Sequence, residues 1–98
     1  MGDYFILNGR KIVAVTLEEW GRWFEHFPNR RVAEDRIGPV RISTVFLGLD
    51  HALGDRPQLF ETMIFGGEHD EWQERCATYD EAEAMHARAV RLVKGGDE

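Results

Sequence analysis

Apolar and polar residues follow two spacings along this chain, the alternation typical of strands and the three-to-four spacing typical of helices. Two apolar runs, residues 5–7 and 11–15, flank the dipeptide Asn8-Gly9. Both of its residues tolerate the positive φ angles that a tight hairpin turn requires. The chain therefore opens with a predicted β-hairpin within residues 4–17.

Two helices are predicted, each from a capping box followed by an apolar stripe. Thr16 and Glu19 form the first box, and Thr78 and Glu81 form the second. Proline disfavours helical geometry in the residue before it, and glycine favours helix ends, so Pro28 ends the first helix and Gly95-Gly96 stops the second. The first stripe consists of Leu17, Trp20, Phe24 and Phe27, and the second of Ala82, Met85, Ala89 and Leu92 or Val93.

Between the helices the pattern predicts three or four strands, at residues 31–37, 40–49, 58–65 and 71–77, the last at an edge. We therefore predict an α+β fold in the order ββαβββα, with an antiparallel sheet of about five strands and both helices on one face. Residues 1–94 form one domain in this prediction, and residues 95–98 form a frayed tail. If Trp23, Phe46 or Trp72 lined the other face, that face would be an apolar patch suited to a partner or to a homodimer.

Composition and charge narrow the function. A single cysteine, Cys76, excludes an internal disulfide framework and a thiolate zinc site. No apolar run reaches membrane-spanning length and no secretion signal opens the chain, so a cytoplasmic protein without membrane contact is expected. The net charge of −6 disfavours direct binding to a nucleic-acid backbone.

Three segments of the chain together make up one sequence pattern. They are STVFLGLDH at residues 43–51, FETMIFGG at residues 60–67 and YDEAEAMH at residues 79–86. The pattern resembles a family of small proteins common in phages, prophages and some bacterial genomes. It covers about the last two thirds of the chain, with a weaker echo at residues 17–20. Because the family carries no established activity, the resemblance implies provenance and not chemistry.

One group of residues around the predicted central strands suits a small ligand. Asp50 and His51 end one strand, and Glu61 lies one strand over. Glu61 occupies a position on the apolar face of its predicted strand. A carboxylate there needs a partner, which Arg41, Arg56 or His51 could supply. Together these five residues could hold a polar metabolite or nucleotide, whereas the simpler interpretation gives Glu61 a conformational role only.

No catalytic grouping, metal site or cofactor is predicted. His51, His69 and His86 lack the spacing of metal ligands. His86 fits a packed or surface imidazole, and Cys76 fits a small buried hydrophobe better than a nucleophile.

The predicted function is therefore that of a non-enzymatic binding protein. Its sharpest form is an inhibitor of a host defence system, similar to an anti-CRISPR, whose acidic surface meets a basic, nucleic-acid-binding host protein. The small-ligand module and a structural homo-oligomer are the alternatives. The predicted partner-binding residues are an apolar anchor, Trp72, and seven carboxylates, Glu68, Asp70, Glu71, Glu74, Asp80, Glu81 and Glu83.

Overall fold

A computed structural model describes residues 4–27, 30–49 and 57–95 of the protein. The predicted α+β class and the two amphipathic helices are confirmed. Four strands separate the helices, so the order within the described residues is ββαββββα. The elements are β1 (Tyr4–Asn8), β2 (Lys11–Val15), α1 (Leu17–His26), β3 (Arg31–Ile37), β4 (Val40–Phe46), β5 (Phe60–Phe65), β6 (Gln73–Cys76) and α2 (Tyr79–Lys94).

The strands form two antiparallel sheets. β1 and β2 make a hairpin, and β3, β4, β5 and β6 make a four-stranded sheet in sequence order. In the hairpin Asn8 pairs with Lys11, so the two-residue loop is Gly9-Arg10, and Gly9 adopts a φ of 66°. The Phe5 amide donates to the Gly48 carbonyl at 2.9 Å, which attaches the hairpin to the chain just beyond β4.

Helix α2 covers one face of the four-stranded sheet and contacts all four of its strands. Its capping box is present: the Thr78 hydroxyl accepts from the Glu81 amide, and the Glu81 carboxylate accepts from the Thr78 amide. Gly95 ends the helix in the left-handed conformation with a φ of 83°. The buried residues of the helix are Ala82, Met85, His86 and Ala89.

Two hydrophobic clusters lie between α2 and the sheet. Phe46, Leu59, Phe60, Ala82 and Met85 form the cluster near the start of the helix. Val40, Ile42, Ile64 and Ala89 form the cluster near its end. Because strand residues alternate between faces, the residues of β4 and β5 that enter these clusters are spaced two or four apart, and the buried Thr44 and Thr62 lie on the same face between them.

Helix α1 packs less deeply. It contacts β1, and its Trp23 ring meets the buried Phe46 ring edge-on at 5.8 Å. Leu17 and Phe27, placed in the apolar stripe by the sequence, are 57% and 56% exposed. The half-buried side of α1 instead comprises Trp20, Trp23 and Phe24, because the helix meets the backbone at the end of β4 and not a broad sheet face.

Gly48 makes this close approach possible. Its φ is 78°, and a Cβ atom there would lie 2.8 Å from both Phe24 Cζ and Trp20 Nε1. The Trp20 and Phe24 rings, whose centroids are 4.0 Å apart, therefore rest on a position that admits only glycine. Within the part of the chain that is described, neither α1 nor α2 combines the length and apolar character that membrane crossing requires.

Candidate functional site

The face of the four-stranded sheet opposite α2 is the candidate functional site. We call it the uncovered face, because among the described residues no helix packs across it. The strand registers place charged side chains and a few apolar ones on it. They are Arg31, Glu34 and Arg36 of β3, Arg41, Ser43 and Val45 of β4, Glu61, Met63 and Phe65 of β5, and Gln73 and Arg75 of β6.

An irregularity in β3 shapes one side of this face. The register shifts between Arg31 and Ala33, so Arg31 pairs with Val45 while Ala33 pairs with Thr44. Such a bulge brings residues three apart to the same face, which regular alternation would separate. Arg31 Nε thereby reaches Glu34 Oε1 at 3.0 Å, and Arg36 approaches the other oxygen of Glu34 at 3.5 Å.

Glu61 has a partner on the neighbouring strand. Its Oε2 accepts from Arg75 Nε at 3.1 Å and from Gln73 Nε2 at 2.9 Å, and both donors belong to β6. Arg41, one of its predicted partners, instead stacks its guanidinium 4.2 Å from the centroid of the Phe65 ring. The register separates Arg41 from Glu61 by four residues along the strands, which is roughly 13 Å.

Arginines dominate the outer surface of the uncovered face. Arg36 and Arg31 expose 72% and 52% of their side chains, whereas Glu34 and Glu61 expose only 18% and 14%. The carboxylates of Glu34 and Glu61 are thus less exposed than the guanidiniums that bind them. With four arginines and two glutamates the face is positive, although the whole chain carries a net charge of −6. The excess negative charge therefore lies elsewhere on the molecule.

A chain of hydrogen bonds runs beneath the sheet on the covered side. The Thr62 and Thr44 hydroxyls bond to each other, and Thr44 Oγ1 lies 2.7 Å from His86 Nδ1. His86 Nε2 lies 2.7 Å from Asp35 Oδ2, and because a carboxylate oxygen accepts, Nε2 is the donor. We call Asp35, His86, Thr44 and Thr62 the buried network; its outer end is the Asp35 side chain, which is 54% exposed.

The buried network has the order of a hydroxyl, histidine and aspartate triad, but no substrate can reach it. Thr44 and Thr62 are 0% exposed and His86 is 6% exposed. A nucleophile must meet its substrate, so these hydroxyls cannot serve as one. The geometry instead anchors α2 to β3, β4 and β5. The prediction of His86 as a packed or surface imidazole agrees with this burial, although the sequence did not indicate its partners.

The acidic residues predicted to bind a partner lie at two ends of α2. Glu68, Asp70 and Glu71 belong to the turn between β5 and β6, which lies near the end of the helix, and Asp80, Glu81 and Glu83 lie in its first turns. A helix of 16 residues is roughly 24 Å long, so the two groups are well separated.

Several of these carboxylates already have partners within the protein. Arg10 donates to both oxygens of Glu83, at 2.8 and 3.0 Å, and also to Asp80. These bonds raise the pKa of Arg10 and lower the pKa of Glu83. Glu74 accepts from Arg88 at 3.0 Å, and Glu81 caps α2. Glu68 remains highly exposed, with 89% of its side chain accessible.

Of the other residues predicted to bind a partner or a ligand, one packs against the core and three lie outside the described residues. Trp72 is half-buried and packs against the cluster of Val40, Ile42, Ile64 and Ala89. Asp50, His51 and Arg56 lie outside the described residues, so the predicted five-residue ligand site is represented only by Arg41 and Glu61.

Cys76 and the metal-ligating residue types were considered as a nucleophile and as a metal site. Burial, reinforced by the nearby Glu81 charge, raises the pKa of the Cys76 thiol to about 11, which keeps the thiol protonated. In residues 4–27, 30–49 and 57–95 no three His, Cys, Asp or Glu side chains are grouped so that they could hold a metal ion.

The comparisons with known proteins give no match. No family model, no curated protein and no solved structure is similar to this chain. The resemblance to small phage and bacterial proteins thus stays a prediction, and the functional argument rests on the geometry.

Proposed function

We propose that this protein is a non-enzymatic binding protein that docks on another protein through the uncovered face. The observation that supports the proposal most is the composition of that face, which presents four arginines, Met63 and a partly exposed Phe65 without a helix over them. Protein interfaces are enriched in arginine, methionine and aromatic residues, and arginine is frequent among the residues that dominate binding energy.

Two further observations favour binding over catalysis. The hydroxyls and the imidazole of the buried network are closed to substrates, and the Cys76 thiol is held in its protonated form. The arginines of the uncovered face, by contrast, keep part of their side chains accessible: Arg31 and Arg36 expose 52% and 72%, and Arg75, which pairs with Glu61, exposes 36%. A guanidinium carries five N–H donors, so it can bind a partner's carboxylate while it still pairs with Glu34 or Glu61.

The charge of the face indicates an acidic partner. On this face the guanidiniums are more exposed than the carboxylates, so they complement a surface rich in Asp and Glu. Such electrostatic complementarity contributes to the specificity and the rate of association. Two copies of the uncovered face would bring like charges together, so a homodimer formed face to face is disfavoured. A homo-oligomer through other surfaces stays a prediction.

Inhibition of a host defence system is a second candidate function, distinct from docking through the uncovered face. It is supported by the resemblance to phage proteins and by the net charge of −6, and it would use the exposed carboxylates of the turn between β5 and β6, Glu68 above all, against a basic nucleic-acid-binding protein. That contact would be separate from the uncovered face.

A capture experiment with matched charge variants tests the proposal. The face variant carries Arg31→Gln, Arg36→Gln, Arg41→Gln and Arg75→Gln, and the control variant carries Arg22→Gln, Arg88→Gln, Arg91→Gln and Lys94→Gln on the helices. Both variants lose four positive charges, but only the first changes the uncovered face.

We expect the wild type and the helix variant to capture the same acidic protein from a bacterial lysate and the face variant to lose it. Circular dichroism melting of all three proteins separates loss of binding from loss of folding. Equal capture by the face variant, or capture of no protein by the wild type, would contradict the proposal.

A further inference from the structure

The side chains of the uncovered face form three rows that run across the strands. The registers align Arg31, Val45, Glu61 and Arg75 in the first row, Glu34, Ser43, Met63 and Gln73 in the second, and Arg36, Arg41 and Phe65 in the third. The first two rows each contain a carboxylate. The third row, which we call the arginine row, contains two guanidiniums and no carboxylate.

Arg36 and Arg41 are direct cross-strand partners in the arginine row. Opposite residues of an antiparallel pair have Cβ atoms roughly 5 Å apart, and like charges in such a pair destabilise a sheet. The two side chains turn to different sides, because Arg36 approaches Glu34 of its own strand at 3.5 Å and Arg41 lies over the ring of Phe65 on β5. An anion bound between the two guanidiniums would offset this repulsion.

Arg41 differs from the other three arginines of the face in its partners. Arg31 and Arg75 each bind a glutamate through Nε, and Arg36 approaches one. Among the described residues no carboxylate pairs with Arg41, and its Cζ lies 4.2 Å from the centroid of the Phe65 ring instead. Stacking occupies the flat side of a guanidinium and leaves the N–H donors at its edge for another partner. Arg41 therefore presents a positioned fork that lacks a carboxylate.

Apolar surface adjoins the Arg41 guanidinium. Phe65 is 36% exposed, and Met63 lies on the same face of β5 and is half-buried. Residues two apart in a strand are roughly 7 Å apart, so neighbouring side chains of one partner segment can reach the fork and this apolar surface together. Arginines beside buried or half-buried apolar groups are frequent among the residues that dominate binding energy.

We propose that the arginine row receives a glutamate or aspartate side chain of the partner protein, and that an adjacent apolar residue of that partner packs on Phe65 and Met63. The inference rests on the proposed docking function and names the contact that dominates it. Arg41 binds the carboxylate through its fork, since paired N–H donors match the two carboxylate oxygens, and Arg36 adds charge from the neighbouring strand. The other two arginines of the face contribute less, because their Nε donors already bind glutamates.

A short peptide tests this contact without any captured protein. The probe is the tripeptide Leu-Glu-Leu with acetylated and amidated ends, and the control is Leu-Gln-Leu with the same ends. The full chain is titrated with each peptide while NMR follows the arginine Nε–H signals and the backbone amides of β4 and β5. We expect the glutamate peptide at millimolar concentration to shift the Arg41 and Arg36 signals and the Phe65 amide in a saturable manner, and the glutamine peptide to leave them unchanged.

Arg41→Lys and Arg75→Lys form a matched pair of variants. Both keep the positive charge of the uncovered face, and each replaces a planar fork by an ammonium group. Arg41→Lys should weaken binding of the glutamate peptide about tenfold, the effect of one charged hydrogen bond, whereas Arg75→Lys should change it by less than about twofold. The amide spectra from the same titrations report whether each variant keeps the fold.

Equal weakening by the two variants, an equal response to both peptides, or no saturable shift with the glutamate peptide would overturn the inference. The outcome is separable from that of the capture experiment, which changes all four arginines at once and requires a protein partner. Capture that the face variant loses, together with no peptide response at Arg41, would support docking through the uncovered face and reject the arginine row as its main contact.

Discussion

Thr44→Val should destabilise the protein strongly, although valine has nearly the shape of threonine. The Thr44 hydroxyl is hydrogen-bonded to the Thr62 hydroxyl and to His86 Nδ1, and Thr44 is 0% exposed. Its removal leaves the Thr62 hydroxyl and His86 Nδ1 buried without their shared partner. Each buried polar group left unpaired costs about 1–3 kcal/mol, so the free energy of unfolding should fall by roughly 2–5 kcal/mol.

The double variant Thr44→Val with Thr62→Val provides the sharper test. It removes both hydroxyls and leaves only His86 Nδ1 unpaired, because apolar replacement of both hydrogen-bonding groups avoids the penalty of an orphaned one. The double variant should therefore be more stable than Thr44→Val alone, by about 1–3 kcal/mol. Rescue by a second core substitution distinguishes a hydrogen-bond network from simple packing.

Urea unfolding followed by circular dichroism measures both effects, and thermal melting gives an independent reading. For a protein of this size, a loss of 2 kcal/mol lowers Tm by roughly 8 °C or more. A Thr44→Val variant within about 0.5 kcal/mol of the wild type would refute the reasoning, since that is the ordinary effect of a surface change. A double variant less stable than Thr44→Val would refute it as well.

Two further predictions concern the packing of α1 on Gly48 and the Cys76 thiol. Gly48→Ala should cost about 2–4 kcal/mol through strain and overlap with Phe24, whereas Gly38→Ala, also at a positive φ but without a neighbour within 4 Å, should cost about 1 kcal/mol in the same unfolding assay. Similar costs would contradict the packing of α1 on the backbone. The Cys76 thiol should react with a maleimide more slowly than in the unfolded chain, with a rate that rises toward pH 11, since burial raises its pKa to about 11. The folded pKa exceeds the ordinary value of 9.0, so the folded state binds more protons between pH 9 and 11 and stability should fall as pH rises through that window; rapid labelling below pH 9 would contradict the burial.

The elements of the fold were predictable because their signals are local. Both helices begin at the predicted capping boxes, and α2 buries Ala82, Met85 and Ala89 of its predicted stripe. In β4, likewise, Thr44 and Phe46 lie on one side and Val45 on the other, as the alternation of a strand requires. Residues three or four apart in a helix, or two apart in a strand, share a face whatever the tertiary structure.

The stripe of α1 was less predictable. Helical spacing grouped Leu17 and Phe27 with Trp20 and Phe24, but the depth of burial depends on what the helix meets. Since α1 packs on β1, on the backbone at Gly48 and against Phe46, and not on a broad sheet face, only the middle of the helix is covered. None of the three residues named for a conditional apolar patch lies on the uncovered face: Phe46 is buried in the cluster with Ala82 and Met85, Trp23 packs against it, and Trp72 packs against the second cluster.

The candidate sites depended on pairings that are far apart in the sequence. His86 bonds to Thr44 and Asp35, which are 42 and 51 residues away, and no local pattern marks such contacts. The bulge after Arg31 has no glycine or proline signal, yet it turns Arg31 toward Glu34. Strand order and register decide which arginines meet on one face. The net negative charge of the chain therefore gave no indication that the uncovered face is positive.

Arginine labelling of the captured complex tests the central claim most directly. Phenylglyoxal modifies accessible guanidiniums, and mass spectrometry compares the protein alone with the protein bound to its partner. The account predicts that Arg31, Arg36, Arg41 and Arg75 become protected in the complex, while Arg88 and Arg91 on the outer side of α2 react equally in both states. Protection of Arg88 and Arg91, with the four arginines of the uncovered face still reactive, would contradict it.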